Sequence, residues 1–348
     1  MKLAVIIGIA GAIAIAVGFS IAPAQAGFAY LTAWAFAMSI ALGALIFVMI
    51  GHAMGARWTV AFQRRAEMIV GALPVLAILF VPLAVYAASI YPWLEPTTPA
   101  QLHRAAWLNL TFWTARAAIY LVFWVIAGEL MRRRPSAALA CALFVPLGLT
   151  LTFAAFDWLM SLEPDWSSTV YGLIYFAGGF VAALALIAAT SRARPAATGA
   201  LARLIHGFLI FWVYVEFAQG FIIWIANKPD EVPWYVTRAA GNWGAVLIAI
   251  AIGGFVLPFF ALLGRSPSRS PRFVAGVGAW LVALHYVDVY WLVMPVLHAT
   301  PALHWLDLAA PCAVLGLAAV AALVRAPAPF GDDDPRVIAA NTYAGNDA

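Results

Sequence analysis

Apolar runs of membrane-spanning length alternate with short polar breaks along nearly the whole chain. Crossing ~30 Å of hydrocarbon takes about 20 residues as a helix. The pattern predicts ten such helices, at roughly 3–22, 29–50, 68–90, 107–130, 137–160, 168–190, 202–226, 240–263, 273–295 and 303–324. Strand-like alternation is almost absent, which excludes a β-barrel. The first run has two readings. Lys2, the apolar stretch to Phe19 and Ala22-Pro-Ala-Gln-Ala26 fit a signal peptide cleaved before Gly27. The stretch is longer than a signal core, however, and this favours a retained helix.

Composition agrees with the pattern. Hydrophobic residues make up 65% of the 348 positions and charged ones 10%, where a soluble domain has about half and a quarter. Mean hydropathy is +0.95. The expected fold is an all-α integral membrane protein, with residues 1–326 as one polytopic domain and 327–348 as a cytoplasmic tail. Cys141 and Cys312 fall inside apolar segments and read as small core residues, with no disulfide or zinc framework. No loop is long enough for a redox or nucleotide-binding domain, so any such domain comes from a partner chain.

Charge sets the orientation. Arg57, Arg64 and Arg65 follow helix 2, Arg132, Arg133 and Arg134 follow helix 4, Arg192, Arg194 and Arg203 follow helix 6, and Arg265, Arg269 and Arg272 follow helix 8. With Lys2, Arg325 and Arg336, this places 15 of the 19 basic residues on one side. Arg104, Lys228 and Arg238 lie on the other side, and Arg116 lies within a helix. The positive-inside rule therefore puts both termini in the cytoplasm. The basic residues are dispersed over short loops, so the net charge of +4 points to no nucleic-acid partner.

Ionisable groups deep in the bilayer cost several kcal/mol and mark candidate sites. Arg116 and Tyr120 share a face of helix 4, Asp157 sits near the outer end of helix 5, and Glu216 lies past the middle of helix 7, one turn before Gln219. His285 and Asp288 share a face of helix 9. All but His285 fall in the outer half, which predicts one polar cavity or relay opening outward. Asp157, Glu216, Asp288 and His285 are candidate proton carriers. Arg116, Tyr120, Tyr214, Gln219, Trp158 and Trp291 are candidates for a quinol pocket, with aromatics and a few polar groups side by side. The alternative is structural, with Arg116 paired to Asp157 and His285 to Asp288 between helices. Glu216 has no basic residue close by on its helix, whereas Glu67, Glu129 and Asp307 read as solvated or paired helix ends, and Glu163 and Asp165 as solvated loop acids. Only His285 of the six histidines is clearly deep, so a bis-histidine haem is not expected. No iron–sulfur, metal or phosphate-loop signature is present.

Asp157 precedes Pro164 by seven positions, and Asp288 precedes Pro295 by seven, four helices later. This spacing is consistent with two parallel four-helix bundles, helices 2–5 and 6–9.

Several motifs carry a family likeness. They are Arg57-Trp58 with Arg64-Arg65, Tyr91-Pro92-Trp93, Leu108-Asn109-Leu-Thr-Phe-Trp-Thr-Ala-Arg116, and Phe156-Asp157-Trp158 through Gly172. Trp212-Val-Tyr214-Val-Glu-Phe217-Ala-Gln219, the loop from Asn227 to Tyr235, Asp288-Val-Tyr-Trp291 and Asp334-Pro335-Arg336 complete the set. On these motifs the chain resembles the F subunit of bacterial alternative complex III, a quinol:cytochrome c oxidoreductase, within the polysulfide-reductase-like membrane proteins. The likeness spans essentially the whole chain. One departure stands at Pro164-Asp165-Trp166-Ser167-Ser168-Thr169, where the family pattern has Pro-His-Trp-Phe-Ser-Thr. A role needing a cation or an aromatic stack in that loop is thereby put in doubt.

The resemblance implies two four-helix bundles with helices 1 and 10 peripheral. It also implies a bacterial inner-membrane complex containing a related membrane subunit, an iron–sulfur subunit and haem c subunits. Such a complex oxidises menaquinol or ubiquinol, and this chain would contribute quinol binding or proton transfer toward the periplasm without a redox centre of its own. The alternatives are a purely structural anchor in the same complex, or a secondary transporter.

Overall fold

Among the described residues, ten helices are long and apolar enough to cross a membrane. They are α1 (Lys2–Ile21), α2 (Pro23–Met54), α3 (Arg57–Val85), α4 (Leu110–Arg133), α5 (Ala137–Leu162), α6 (Tyr171–Thr190), α7 (Pro195–Ala226), α8 (Gly241–Leu263), α9 (Pro271–Val296) and α10 (Leu306–Val324). The computed structural model describes residues 1–227, 229, 231–328, 334, 337–338 and 343. It is 82% helical with no strands among those residues. All ten predicted helices are present, with ends shifted by a few residues and with longer starts to α2, α3 and α7. Lys228, Pro335 and Arg336, used above for orientation and family likeness, lie outside the described residues, as does most of the tail.

Helices α2 to α5 pack as one bundle and α6 to α9 as a second, joined where α2 meets α6 and α9 and where α5 meets α6. Helices α1 and α10 pair with each other and lie at the side, α10 against α2 and α3. Lipid tails give apolar side chains no reason to prefer a partner helix, so small residues that let backbones close in decide the pairing. A Cβ placed on Gly179 of α6 would stand 2.6 Å from the Ser39 Cβ of α2, and one on Gly43 would stand 2.8 Å from the Gly179 carbonyl. A Cβ on Gly316 of α10 would likewise stand 2.6 Å from the Gly8 Cα of α1. Helix α2 is in consequence buried almost throughout, from Gln25 to Met49.

Two helices are irregular. In α3, Pro74 and Pro82 lack the amide a helix needs. The Phe80 amide turns to Ala77 and the Leu83 amide to Phe80. The carbonyls of Leu76 and Leu79 are left over, and α2 satisfies both, with Trp34 Nε1 donating to Leu76 and the Tyr30 hydroxyl to Leu79, each at 2.8 Å. In α8, Ile250–Val256 winds as a π-helix, and Trp280 Nε1 of α9 donates to the Gly253 carbonyl at 2.8 Å. Single π turns of this kind recur at functional sites.

The loops repeat as well. A short helix, Pro99–Arg104, precedes α4, and another, Val232–Ala239, precedes α8. Arg104 donates to the Pro164 carbonyl beyond α5, and Arg238 donates to the Leu292 carbonyl near the end of α9 at 2.8 Å. Both arginines therefore hold the same end of their own bundle. This extends the Asp157/Asp288 spacing into a two-bundle repeat.

The expectation for the cysteines is corrected. Cys141 and Cys312 are both exposed on the outside of the bundle, because apolar segments in a membrane protein turn one face to lipid.

Candidate functional site

Two separate polar clusters replace the single outward cavity expected from the sequence. The first joins α4 to α5. Asp157 is fully buried, and Arg116 reaches it with two donors, Nε to Oδ2 at 2.8 Å and Nη2 to Oδ1 at 2.7 Å. Tyr120 donates to Oδ2 at 3.1 Å and Trp107 Nε1 to Oδ1 at 3.0 Å. Four donors thus saturate the carboxylate. The Arg116 guanidinium lies 4.0 Å from the Trp107 ring centre and 4.3 Å from that of Phe112. This geometry is a buried ion-pair clamp between helices, with donors already placed on both carboxylate oxygens.

The second cluster sits where α2, α6, α7, α8 and α9 converge. Ser39 Oγ lies 2.9 Å from both the Phe36 carbonyl oxygen and His285 Nε2, within hydrogen-bond reach of each. Nδ1 of His285 then faces Asp288 Oδ2 across 3.6 Å. This is too long for a direct hydrogen bond and leaves both atoms open to a proton or a water. Glu216 on α7 interacts electrostatically with Asp288, and its buried Oε1 has no hydrogen-bond partner. The indole nitrogen of Trp212 is likewise buried and unpartnered.

A cavity of about 20 Å³ lies among Gly178, Trp212, Gly254, His285 and Asp288, enough for one water, which needs ~10–15 Å³. Gly178 keeps it open, since a Cβ there would lie 3.2 Å from His285 Cε1 and 3.3 Å from Trp212 Nε1. The π turn of α8 supplies Ile250 and Gly254 to the same wall. An imidazole and the Asp288 carboxyl group, beside the Trp212 indole, line this water-sized space and can pass a proton through one water.

The remaining predicted residues disperse. Trp158 is packed in an aromatic cluster with Trp34, Phe80, Tyr120 and Trp124. Gln219 accepts from Ser168 at 2.8 Å and ties α7 to the start of α6. Trp291 donates to the Arg238 carbonyl at 3.0 Å. Tyr214 is 64% exposed on the outer face of α7 and lines neither cluster.

Residues read as loop charges turned out to be structural. Arg238 is 1% exposed, pairs with Glu163 at 2.6 Å and lies 3.9 Å from the Trp234 ring centre. Burial pulls its pKa below the ordinary arginine value, and Glu163 pushes the other way. Asp165 accepts from Thr98 at 2.9 Å and Gln101 at 2.8 Å. Glu163 is therefore a paired group and not the solvated loop acid expected, whereas Asp165 stays exposed in its loop as expected. Asp307, expected at a helix end, is buried and accepts from Gln25 at 3.0 Å, while Gln25 also contacts His298 at 2.6 Å. Aromatic neighbours of Arg238 in the sequence were the one available sign of its burial.

A larger cavity of about 360 Å³ adjoins the first cluster, lined among others by Arg104, Trp107, Phe153, Phe156, Met160 and Trp166. The Trp166 indole nitrogen is buried without a partner. Among the described residues no three His, Cys, Asp or Glu side chains converge as metal ligands. In comparisons with known proteins, no family model matches the chain and no curated protein matches it.

Proposed function

We propose that this chain is a membrane subunit of a quinol-oxidising respiratory complex. It sits in a bacterial inner membrane with both termini cytoplasmic, and its second bundle carries protons from quinol toward the periplasm. The observation that carries the proposal is the buried Glu216 Oε1, without a hydrogen-bond partner among the described residues and within electrostatic reach of Asp288, which with His285 lines a water-sized cavity. Oxidising a quinol releases protons, and a carboxyl or imidazole with an open position is the group that accepts and passes them. Buried acids that serve only as glue are found saturated, as Asp157 is. The aromatic and thioether-lined cavity beside Trp107 supports the quinol part of the reading, since its wall is largely apolar. Menaquinol and ubiquinol both suit it. Redox centres come from partners, namely a related membrane subunit, an iron–sulfur subunit and haem c subunits.

The saturated Arg116–Asp157 clamp favours a second reading for the first bundle, that of an anchor. Glu216→Gln and Asp157→Asn separate the two. In complexes of normal composition, Glu216→Gln is expected to lose quinol oxidation and proton release, and unchanged turnover would sink the proton route. Asp157→Asn is expected to weaken assembly first. Purification in mild detergent tests the setting, and recovery as a lone chain without iron–sulfur or haem c partners would count against both readings.

A further inference from the structure

A cavity of about 700 Å³ opens at the arginine-rich end of the second bundle, between the α6–α7 connection and the start of α9. Its lining includes Ser191, Arg192, Arg194, Ser270 and Arg272, with no carboxylate among the described residues. Arg192 and Arg272 are exposed at its rim. The N-termini of α7 and α9 point their positive dipole ends to the same place. Ser191 is independent of these charges. It is 8% exposed, and its hydroxyl is buried with no hydrogen-bond partner. A hydroxyl taken out of water without a partner costs free energy unless a ligand completes it.

We infer that this cavity binds the phosphate of an acidic phospholipid head group, with Ser191 as the inner donor and Arg192 and Arg272 as the charged rim. A phosphodiester supplies negative charge for Arg192 and Arg272 and an acceptor for the serine. Free inorganic phosphate shares that chemistry. The lipid is favoured because the cavity lies at the ends of membrane helices, where the next residue of α9, Phe273, stands exposed for acyl chains to cover. The arginine-rich side is also the one that faces anionic lipid in the orientation proposed above.

The full chain, reconstituted in phosphatidylcholine with or without phosphatidylglycerol and examined by native mass spectrometry after extraction, tests this. The wild type is expected to retain phosphatidylglycerol in preference to phosphatidylcholine. The double variant Arg192→Gln/Arg272→Gln should cut that retention about tenfold, and Ser191→Ala should cut it severalfold, with thermal stability in phosphatidylcholine alone unchanged for both. Arg134→Gln removes a charge from the same face away from the cavity and is expected to have no effect. Three results would each overturn the proposal. They are equal retention of both lipids, a loss in Arg134→Gln as large as in the double variant, or displacement of the lipid by inorganic phosphate at comparable concentration.

Discussion

Ser39 Oγ on α2 lies 2.9 Å from His285 Nε2 on α9, across the junction of the two bundles. This contact, made by a hydroxyl that also reaches the Phe36 carbonyl, holds the orientation of the His285 ring. Nδ1 is thereby turned to Asp288. Ser39→Ala removes this contact and frees the ring to turn. Proton-coupled quinol oxidation is expected to fall about tenfold, less than the ~10²–10⁴ that a positioned acid or base contributes and that His285→Gln should lose. Turnover of reconstituted complexes with a pH-indicator dye reads both. A Ser39→Ala variant as active as wild type would remove Ser39 from the route.

Gly178 offers a finer probe, because it changes space and no polar group. An alanine there puts a methyl group 3.2 Å from His285 Cε1, tight enough that the ring must give. It also takes room from a cavity that holds about one water. Gly178→Ala is expected to leave helix content and assembly intact while slowing proton release more than quinol binding. This would appear as a lower kcat with KM little changed. A raised KM at constant kcat would instead place Gly178 in a binding surface.

The tie between Trp34 and α3 makes a stability prediction. The Leu76 carbonyl is left over because the Phe80 amide turns to Ala77, and Trp34 Nε1 supplies its donor where hydrocarbon offers none. Trp34→Phe keeps the ring packing and deletes the donor. It is expected to cost about 1–3 kcal/mol, the desolvation cost of an unpaired carbonyl, read as a lower midpoint for thermal inactivation in detergent. Trp124→Phe is a useful comparison, since its partner is the Thr150 hydroxyl at 2.9 Å. That hydroxyl keeps a bond to the Pro146 carbonyl at 2.8 Å, so a smaller loss is expected.

Hydropathy made the ten spans legible because membrane length and low charge are properties of each segment alone. It carried no information on which helix is central, since every helix is apolar all round. The answer lay in small residues such as Gly43 and Gly179, whose role appears only when two helices are brought together. The ionisable residues were legible as a set for the same reason, because any charge in such a segment stands out. Their division was not. Asp157 and Glu216 look alike in sequence, and what separates them is that Arg116, Tyr120 and Trp107 converge on one and no donor reaches Oε1 of the other. Arg238 was misread because a loop position in sequence says nothing about the Trp234 and Glu163 that enclose it.

The Arg116–Asp157 clamp predicts strong non-additivity. Removing one partner leaves a buried, uncompensated charge and is expected to cost about 3–5 kcal/mol, whereas removing both leaves none. Arg116→Leu should therefore be severely destabilised, with Asp157 stranded among Trp113 and Trp158 at essentially no exposure. Asp157→Asn should be milder, because the amide still accepts from Arg116, although its NH₂ meets donors on the other side. The double variant Arg116→Leu/Asp157→Leu should recover much of the loss of Arg116→Leu, giving a coupling energy well above the ~0.5 kcal/mol expected of independent sites. Unfolding midpoints for the four proteins in one detergent measure the cycle. If the double variant is as unstable as the sum of the singles, the pair does not act as a unit, and Asp157 returns to the set of groups able to take a proton.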